Sequence, residues 1–331
     1  MKYLRAAVLA AGLATLGFLL WRLDAGTVWK LIAQVGWGIV PILIFQICDH
    51  VLNAFGWRFA FSRQDAPHVP FWRLVKVRMA GDGVNYLTPS GQIAGELVRP
   101  ALLGDCRPED VKNSSVLVAK FAQALAQAVF ILVGLLFVGL YKMNILDGRE
   151  LVLSIGGALL VVALVSLAIY AVSAESGWWS RRFVSRPEIA AMRERMRAYL
   201  RRHPGRFMLS TLCFTFGYAW GMLEVMLILH FMGVPIEPIQ ALAVETLSNV
   251  VDALMFMVPA KVGTQEAGKV AIFKALGFPA ATGLALGLIR HLRELLWASA
   301  GFLIYALNRP ADGASAPIRS LLAKEPLERG R

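Results

Sequence analysis

The sequence predicts an all-α polytopic membrane protein, with about six transmembrane helices and two re-entrant helical hairpins arranged as an inverted repeat. Three observations carry that prediction. Hydrophobic residues make up 57% of the 331 and charged residues 17%, with a mean hydropathy of +0.58; soluble domains are nearer 45–50% apolar. Six stretches are apolar enough to cross a hydrocarbon core of about 30 Å, which takes about 20 residues of helix. Two further apolar stretches are broken by proline and glycine, and they carry one charged pattern twice. Asp82, Pro89, Glu96, Arg99 and Lys120 recur, 170 residues later in each case, as Asp252, Pro259, Glu266, Lys269 and Arg290.

The expected spans run from Tyr3 to Trp21, Trp37 to Phe61, Ser115 to Tyr141, Leu151 to Val172, Phe207 to Met232 and Ala281 to Leu307. The first begins like a signal peptide, but no small-x-small cleavage site precedes Arg22 and Asp24, so it is expected to stay as a helix. Each half of the repeat, residues 37–141 and 207–307, holds a full span, a broken segment and a second full span. The helix from Leu151 to Val172 joins the halves. Residues 1–310 are thus expected to form one membrane domain, and residues 311–331, with Pro317 and Pro326 among charges, a disordered cytoplasmic tail.

The net charge of +12 is distributed by membrane side, which argues against a nucleic-acid partner. Arg58, Arg63, Arg73, Lys76, Arg78, Arg107 and Lys112 flank the first broken segment, and arginines fill the loop from Arg181 to Arg206. Both groups belong in the cytoplasm by the positive-inside rule, whereas the loop from Gly233 to Gln240 has no Lys or Arg and belongs outside. Both termini then lie inside. The first broken segment dips in from the cytoplasm, the second from outside. Within the basic loop, Ile189, Met192, Met196 and Tyr199 recur at helical spacing, a basic amphipathic helix. It reads as a linker obeying the charge rule, with contact to anionic lipid as the sharper alternative.

In the first broken segment, Thr88-Pro89-Ser90-Gly91 stops a helix that restarts before Glu96; Pro89 removes a backbone donor, and Gly91 and Gly95 permit a sharp reversal. Pro259 and Gly263 take the same part in the second. Non-helical backbone at membrane depth must be buried in protein or line a wet cavity, so both breaks are expected at the centre. Each returning half-helix aims free N–H groups at its break, an environment that suits anions. Glu96 and Glu266 fall in that first turn, with Arg99 and Lys269 three residues on, on the same face. These pairs read either as ion pairs that hold the turn or as part of a binding site. Lys120 and Arg290, on the following spans, add surplus base, although Glu294 stands one turn after Arg290. A cavity lined by Arg99, Lys120, Lys269 and Arg290 would suit an anionic headgroup. Asp82 and Asp252 would balance those cations or bind a coupling ion. Asp49, His50 and Glu224 read as interhelical hydrogen-bonding residues, and His291 and Arg293 as residues of either an interface or the cavity.

Cys48, Cys106 and Cys213 show no metal-ligand or disulfide spacing, and there is no Walker, H-E-x-x-H or G-x-S-x-G motif. No cofactor, metal or enzymatic activity is therefore expected. The stretch from Asn85 to Arg99 and its partner from Pro259 to Glu266 resemble the flippase-like transmembrane domain of lysylphosphatidylglycerol synthases and their stand-alone bacterial relatives. Among these the chain looks closest to the hopanoid-biosynthesis-associated branch. The resemblance covers roughly Leu4 to Leu307 and implies lipid translocation or lipid delivery across the bacterial inner membrane; taken with the basic residues above, the expected cargo is a lipid with an anionic headgroup, or a hopanoid. Two alternatives stay open: a membrane enzyme that modifies a lipid headgroup through Glu96, Glu266 or Asp82, and a partner that delivers lipid to a biosynthetic enzyme. No soluble aminoacyl-transferase domain follows Leu307, so lysine transfer is not the expected activity.

The topology is testable by labelling. Cysteines placed at Gly148 and Glu237 should react from outside, and those at Gln64, Asp105 and Ser185 should not. Labelling of positions 64 and 105 from opposite faces would make the first broken segment a full crossing and abolish the inversion.

Overall fold

The computed structural model describes residues 13–87, 94–140, 187–255 and 262–308, with isolated positions between 148 and 167. All regular structure among them is helical: α1 (Leu13–Arg22), α2 (Ala25–Val35), α3 (Ile39–Ala60), α4 (Phe71–Leu87), α5 (Ala94–Leu102), α6 (Glu109–Leu140), α7 (Pro187–Arg202), α8 (Pro204–Phe231), α9 (Pro238–Leu254), α10 (Thr264–Ala275) and α11 (Ala280–Leu307). The breaks at Pro89 and Gly91 and at Pro259 lie outside the described residues, as do most of Leu151 to Val172 and the tail.

Three segments are long and apolar enough to cross a membrane: Ala25–Ala60, Glu109–Gly139 and Pro204–Phe231. They overlap the expected spans at Trp37, Ser115 and Phe207, which run one or two residues farther. Helix α11 has the length of a span, but Arg290, Arg293 and Glu294 interrupt its apolar run. Helix α2 was not expected as an element. Its start is fixed by Asp24, whose carboxylate accepts from the Gly26 amide at 3.1 Å and the Thr27 hydroxyl at 2.8 Å, meeting donors that a helix start leaves open.

Helices α3–α6 and α8–α11 correspond in order and position. Each later helix begins and ends 165 to 173 residues after its counterpart. Their packing corresponds as well. Helix α3 packs against α8, α4 against α11 and α9 against α6; within the sets, α4 meets α5 as α9 meets α10, and α5 meets α6 as α10 meets α11. The two sets are therefore interlocked, each broken segment leaning on the last helix of the other set. Residue contacts show that the pairings are antiparallel. Gly56 faces Phe214 while Phe45 stacks on Trp220, and Gly134 faces Thr246 while Gln127 reaches Asn249.

Small residues allow the closest of these crossings. A Cβ on Gly83 would lie 2.5 Å from the Ala298 carbonyl oxygen, and one on Gly301 would collide with the Met79 carbonyl. Helices α4 and α11 thus touch backbone to backbone, the mode by which small residues let membrane helices pack without a hydrophobic driving force. Gly95 does the same inside the first broken pair, where a Cβ would strike the Gly81 carbonyl.

Two apolar cores result. One gathers Trp57 and Phe61 of α3, Leu74 and Val84 of α4, Val98 of α5, Val118 of α6 and Phe214 of α8. Helix α7 joins it by burying Met196 and Tyr199, as its helical spacing predicts, while Arg195 pairs with Asp110. Tyr199 donates to the Phe59 carbonyl at 2.6 Å, and Arg206 donates to those of Phe61 at 2.8 Å and Arg58 at 3.0 Å, closing the C-terminal end of α3. Burial raises the Tyr199 phenol far above its ordinary pKa, so it remains a donor at any physiological pH. The other core joins Val28 of α2, Ile42, Leu135, Ile228, Val244, Phe273 and Leu284. Between the cores, at mid-length of α3, α6, α8 and α11, lies a polar belt.

The α4–α11 crossing gives a direct check. Gly301→Val should lower the unfolding temperature in detergent by an amount equivalent to about 1–3 kcal/mol or more, the range for overpacking. Gly205→Ala, where a Cβ meets nothing within 4 Å, should leave it unchanged.

Candidate functional site

The belt encloses a cavity of about 370 Å³. Helix α3 contributes Gln46, Asp49 and Asn53; α4, Arg78 and Asp82; α6, Gln123; α8, Phe214, Gly217, Tyr218, Trp220, Gly221 and Glu224; α9, Glu245, Asn249 and Asp252; α11, Arg290, Arg293 and Glu294. Its ionisable wall thus holds six carboxylates, Asp49, Asp82, Glu224, Glu245, Asp252 and Glu294, against three guanidiniums. No group of described residues has the arrangement of a metal site.

On the α4 side the charges alternate. Arg78 stands 3.8 Å from Asp82, Asp82 2.6 Å from Arg99, Arg99 bonds Glu96, and Glu96 lies 2.7 Å from Lys120. The helical spacing dictates two of these links: Arg78 and Asp82 are i, i+4 on α4, and Glu96 and Arg99 are i, i+3 on α5. Asn53 accepts from Arg78 at 3.1 Å, and the guanidiniums of Arg78 and Arg99 lie over the rings of Phe214 and Trp57 at 5.2 and 5.9 Å. This chain carries three cations and two anions.

On the α11 side a second chain has the opposite sign. Glu245 lies 2.8 Å from Arg290, Arg290 3.1 Å from Glu224, Glu224 bonds Arg293, and Arg293 stands 3.3 Å from Glu294. Arg290 also donates to the Gly221 carbonyl at 2.8 Å. Gly221 allows this approach, because a side chain there would occupy the place of the Glu245 carboxylate. Three anions hold two cations.

The repeated pattern therefore does not produce repeated contacts. Lys120 turns to Glu96, but its counterpart Arg290 turns away to Glu224 and Glu245. Glu96 pairs with Arg99 and Lys120. Glu266 instead accepts from the Gly263 amide at 2.8 Å, the glutamate half of a capping box, since Gly263 has no side chain to return the bond, and lies 2.9 Å from His291. At the start of α5 it is Asn85 that accepts, from the Gly95 amide at 2.7 Å. Lys269 is 4% exposed and has no carboxylate within 4 Å among the described residues. Gln265 reaches Asp252 at 3.5 Å.

Of the residues singled out from sequence, Asp82, Asp252 and Arg290 line the cavity. Arg99 stands directly behind Asp82, with Glu96 and Lys120 farther along the same chain. Glu266 and Lys269 are buried at the α10–α11 contact, where Gly287 admits the Lys269 stem. The surplus base expected at Lys120 and Arg290 is compensated by Glu96 in one case and by Glu224 and Glu245 in the other. Gly95 and Gly263 stand at the starts of the returning helices; Pro89, Gly91 and Pro259 fall outside the described residues.

Sequence reasoning passed over two charged wall residues, and the uncharged Gln46, Asn53, Gln123, Tyr218 and Asn249 with them. Arg78 was read as a cytoplasmic flank but is 4% exposed and faces the cavity; its i, i+4 spacing from Asp82 was the available signal. Glu245 has Val75 as its counterpart, so a search for residues present in both halves omits it. An isolated carboxylate in an apolar run is functional by default and would have marked it.

With this geometry in hand, the comparisons place the chain. The family model described as the lysylphosphatidylglycerol synthase TM region matches residues 5–300, and the chain belongs to that family. Comparison with curated proteins and with solved structures returned no match. The family and the long apolar helices together make this a multi-pass membrane protein.

Because Glu224 is shared by Arg290 and Arg293, its loss leaves each buried cation with one carboxylate, Glu245 for Arg290 and Glu294 for Arg293. Glu224→Ala should cost about 3–5 kcal/mol of stability, the range for breaking a buried pair. Adding Arg293→Gln to it should recover part of that loss in thermal unfolding. Additive losses in the double variant would show that the residues are not coupled.

Proposed function

We propose that this member of the family is a lipid flippase of the bacterial inner membrane, with both termini cytoplasmic. In this reading α4–α5 and α9–α10 are re-entrant hairpins of an inverted repeat, entering from opposite faces and meeting around the polar cavity. The lipid headgroup passes through that cavity while its tails stay in hydrocarbon. The observation that carries the reading is the height of the cavity. Asp49, Gln123, Tyr218 and Arg293 stand near the midpoints of α3, α6, α8 and α11. At 1.5 Å per residue each lies about 15 Å or more from its helix ends, which is the middle of a bilayer. Charged groups are expensive there and mark pathways.

The antiparallel packing of α3 on its counterpart α8, and the equivalent exchange by which α4 packs on α11 as α9 packs on α6, support the inversion, and many secondary transporters place their sites at such a repeat interface. The purely anionic headgroup expected from sequence fits the wall poorly, since carboxylates outnumber guanidiniums two to one. A cation-rich chain on one side and an anion-rich chain on the other suit a headgroup that carries both signs. Acid–base chemistry finds less support. Glu96 and Asp82 are each held by Arg99, and Glu266 by Gly263 and His291, so none is poised to exchange a proton with substrate.

Purified protein in liposomes should accelerate translocation of labelled zwitterionic phospholipid. Asp49→Asn and Asp252→Asn should each slow it about tenfold, the equivalent of roughly 1.4 kcal/mol in the barrier, and Lys30→Gln on the exposed face of α2 should not. A covalently altered lipid in mass spectra of the wild-type mixture would replace the flippase with an enzyme. Failure of the wild-type protein to move any of a panel of zwitterionic, anionic and hopanoid lipids would end the transport reading.

A further inference from the structure

A smaller pocket of about 130 Å³ adjoins the charged cavity between α3, α4 and α11. The two share Gln46, Asp82, Arg293 and Glu294 as a common wall; the remaining surface is His50, Met79, Tyr86, Trp297 and Ala298. That part is apolar except for the ring nitrogens of His50 and Trp297 and the Tyr86 hydroxyl, and all three are met by nothing: His50 Nε2, Trp297 Nε1 and Tyr86 Oη are buried and make no hydrogen bond among the described residues. His50 is 9% exposed, and its ring sits edge-on to that of Trp297 with centroids 5.0 Å apart. The three unmet groups therefore belong to one place in the fold, two of them donors on adjoining rings.

Leaving such groups bare is costly. In the hydrocarbon interior an unsatisfied polar group costs several kcal/mol, because no water competes to meet it. Buried Trp N–H groups usually find a partner. The chemistry of the missing partner can be narrowed. An indole N–H only donates, so whatever fills the pocket must accept. A phosphate would accept, but Asp82 and Glu294 on the shared wall repel it and leave Arg293 already committed to Glu224. An ammonium cannot accept. An uncharged oxygen attached to hydrocarbon remains, and in a two-tailed lipid the group next to the headgroup on the tail side is the ester carbonyl. The volume admits a fragment of a few heavy atoms, and Met79 and Ala298 supply the apolar contact that the adjoining methylenes need.

We propose that this pocket is the subsite for the ester carbonyl of the lipid, held by the Trp297 indole and His50 while the headgroup occupies the charged cavity beside it. This rests on the flippase reading for the identity of the ligand as a lipid. It adds a specificity rule: ester-linked lipids are held by a contact that ether-linked lipids of the same headgroup and tails lack.

The test is equilibrium binding by the full-length protein, titrated with diester and diether phosphatidylethanolamine, a headgroup with both signs, in native mass spectrometry. The wild-type protein should prefer the diester. Trp297→Phe keeps the ring and removes the donor, and should weaken diester binding about 3- to 10-fold, the worth of one net hydrogen bond, leaving diether binding unchanged. His50→Phe should repeat the pattern, which guards against a defect peculiar to Trp297. Equal weakening of both lipids by the two variants would assign the rings to packing alone. Unchanged binding of both would leave a pocket that holds only water, and no binding of either lipid by the wild type would also overturn the subsite. Preference for the diester together with absence of lipid movement in vesicles would preserve the subsite and remove the transport reading instead.

Discussion

A charge in the middle of a bilayer has to be compensated by other charges or by polar groups, and the centre of this molecule is arranged around that requirement. Glu224 is the pivot. Its two oxygens hold Arg290 and Arg293 one turn apart on α11, while Arg290 also reaches Glu245 on α9. Helices α8, α9 and α11 are thereby clamped by groups that cannot be separated without exposing an ion to hydrocarbon. The compensating chain on the α4 side joins α4, α5 and α6 through Asp82, Arg99, Glu96 and Lys120. Buried pairs of this kind are weak evidence for added stability against an apolar replacement. Their presence where apolar residues would fold as well is what makes the belt the candidate site.

The helices supply the frame that holds these chains apart. Antiparallel packing of α3 on α8, and of each broken pair on the last helix of the other set, brings the midpoints of the long helices to one level. The two polar chains stand on either side of the cavity, with Asn53 and Gln46 as further partners of Arg78 and Arg293. Arg99, Glu96 and Lys120 stand behind the wall, so the lining itself is predominantly acidic.

Much of the helical order was legible in sequence because it rests on local signals. Apolar length marked α3, α6 and α8, the spacing of Met196 and Tyr199 marked the buried face of α7, and Gly95 and Gly263 marked the starts of α5 and α10. The Glu96–Arg99 pair was legible for the same reason, being three residues apart on one helix. What could not be read was which charge meets which across helices. Lys120 and Arg290 occupy equivalent places, yet their partners come from different elements, because Glu224 and Glu245 have Ala54 and Val75 as counterparts and offer Arg290 an alternative that Lys120 lacks. Helix α2 was missed because its start depends on Asp24, which the sequence shows only as a charge beyond the first span and which acts as a helix cap.

The claim on which the rest depends is that the charged belt lies at the centre of the bilayer. Spin labels on lipid-facing neighbours of the belt, at Ile47 of α3, Phe216 of α8 and Leu295 of α11, all exposed on the protein surface, report that height through their relative access to oxygen and to a polar nickel reagent. In reconstituted vesicles all three should show the greatest depth, with labels at Trp37, Met208 and Leu307 near the surfaces. A shallow reading at any of the first three would place the belt at an interface and contradict the account.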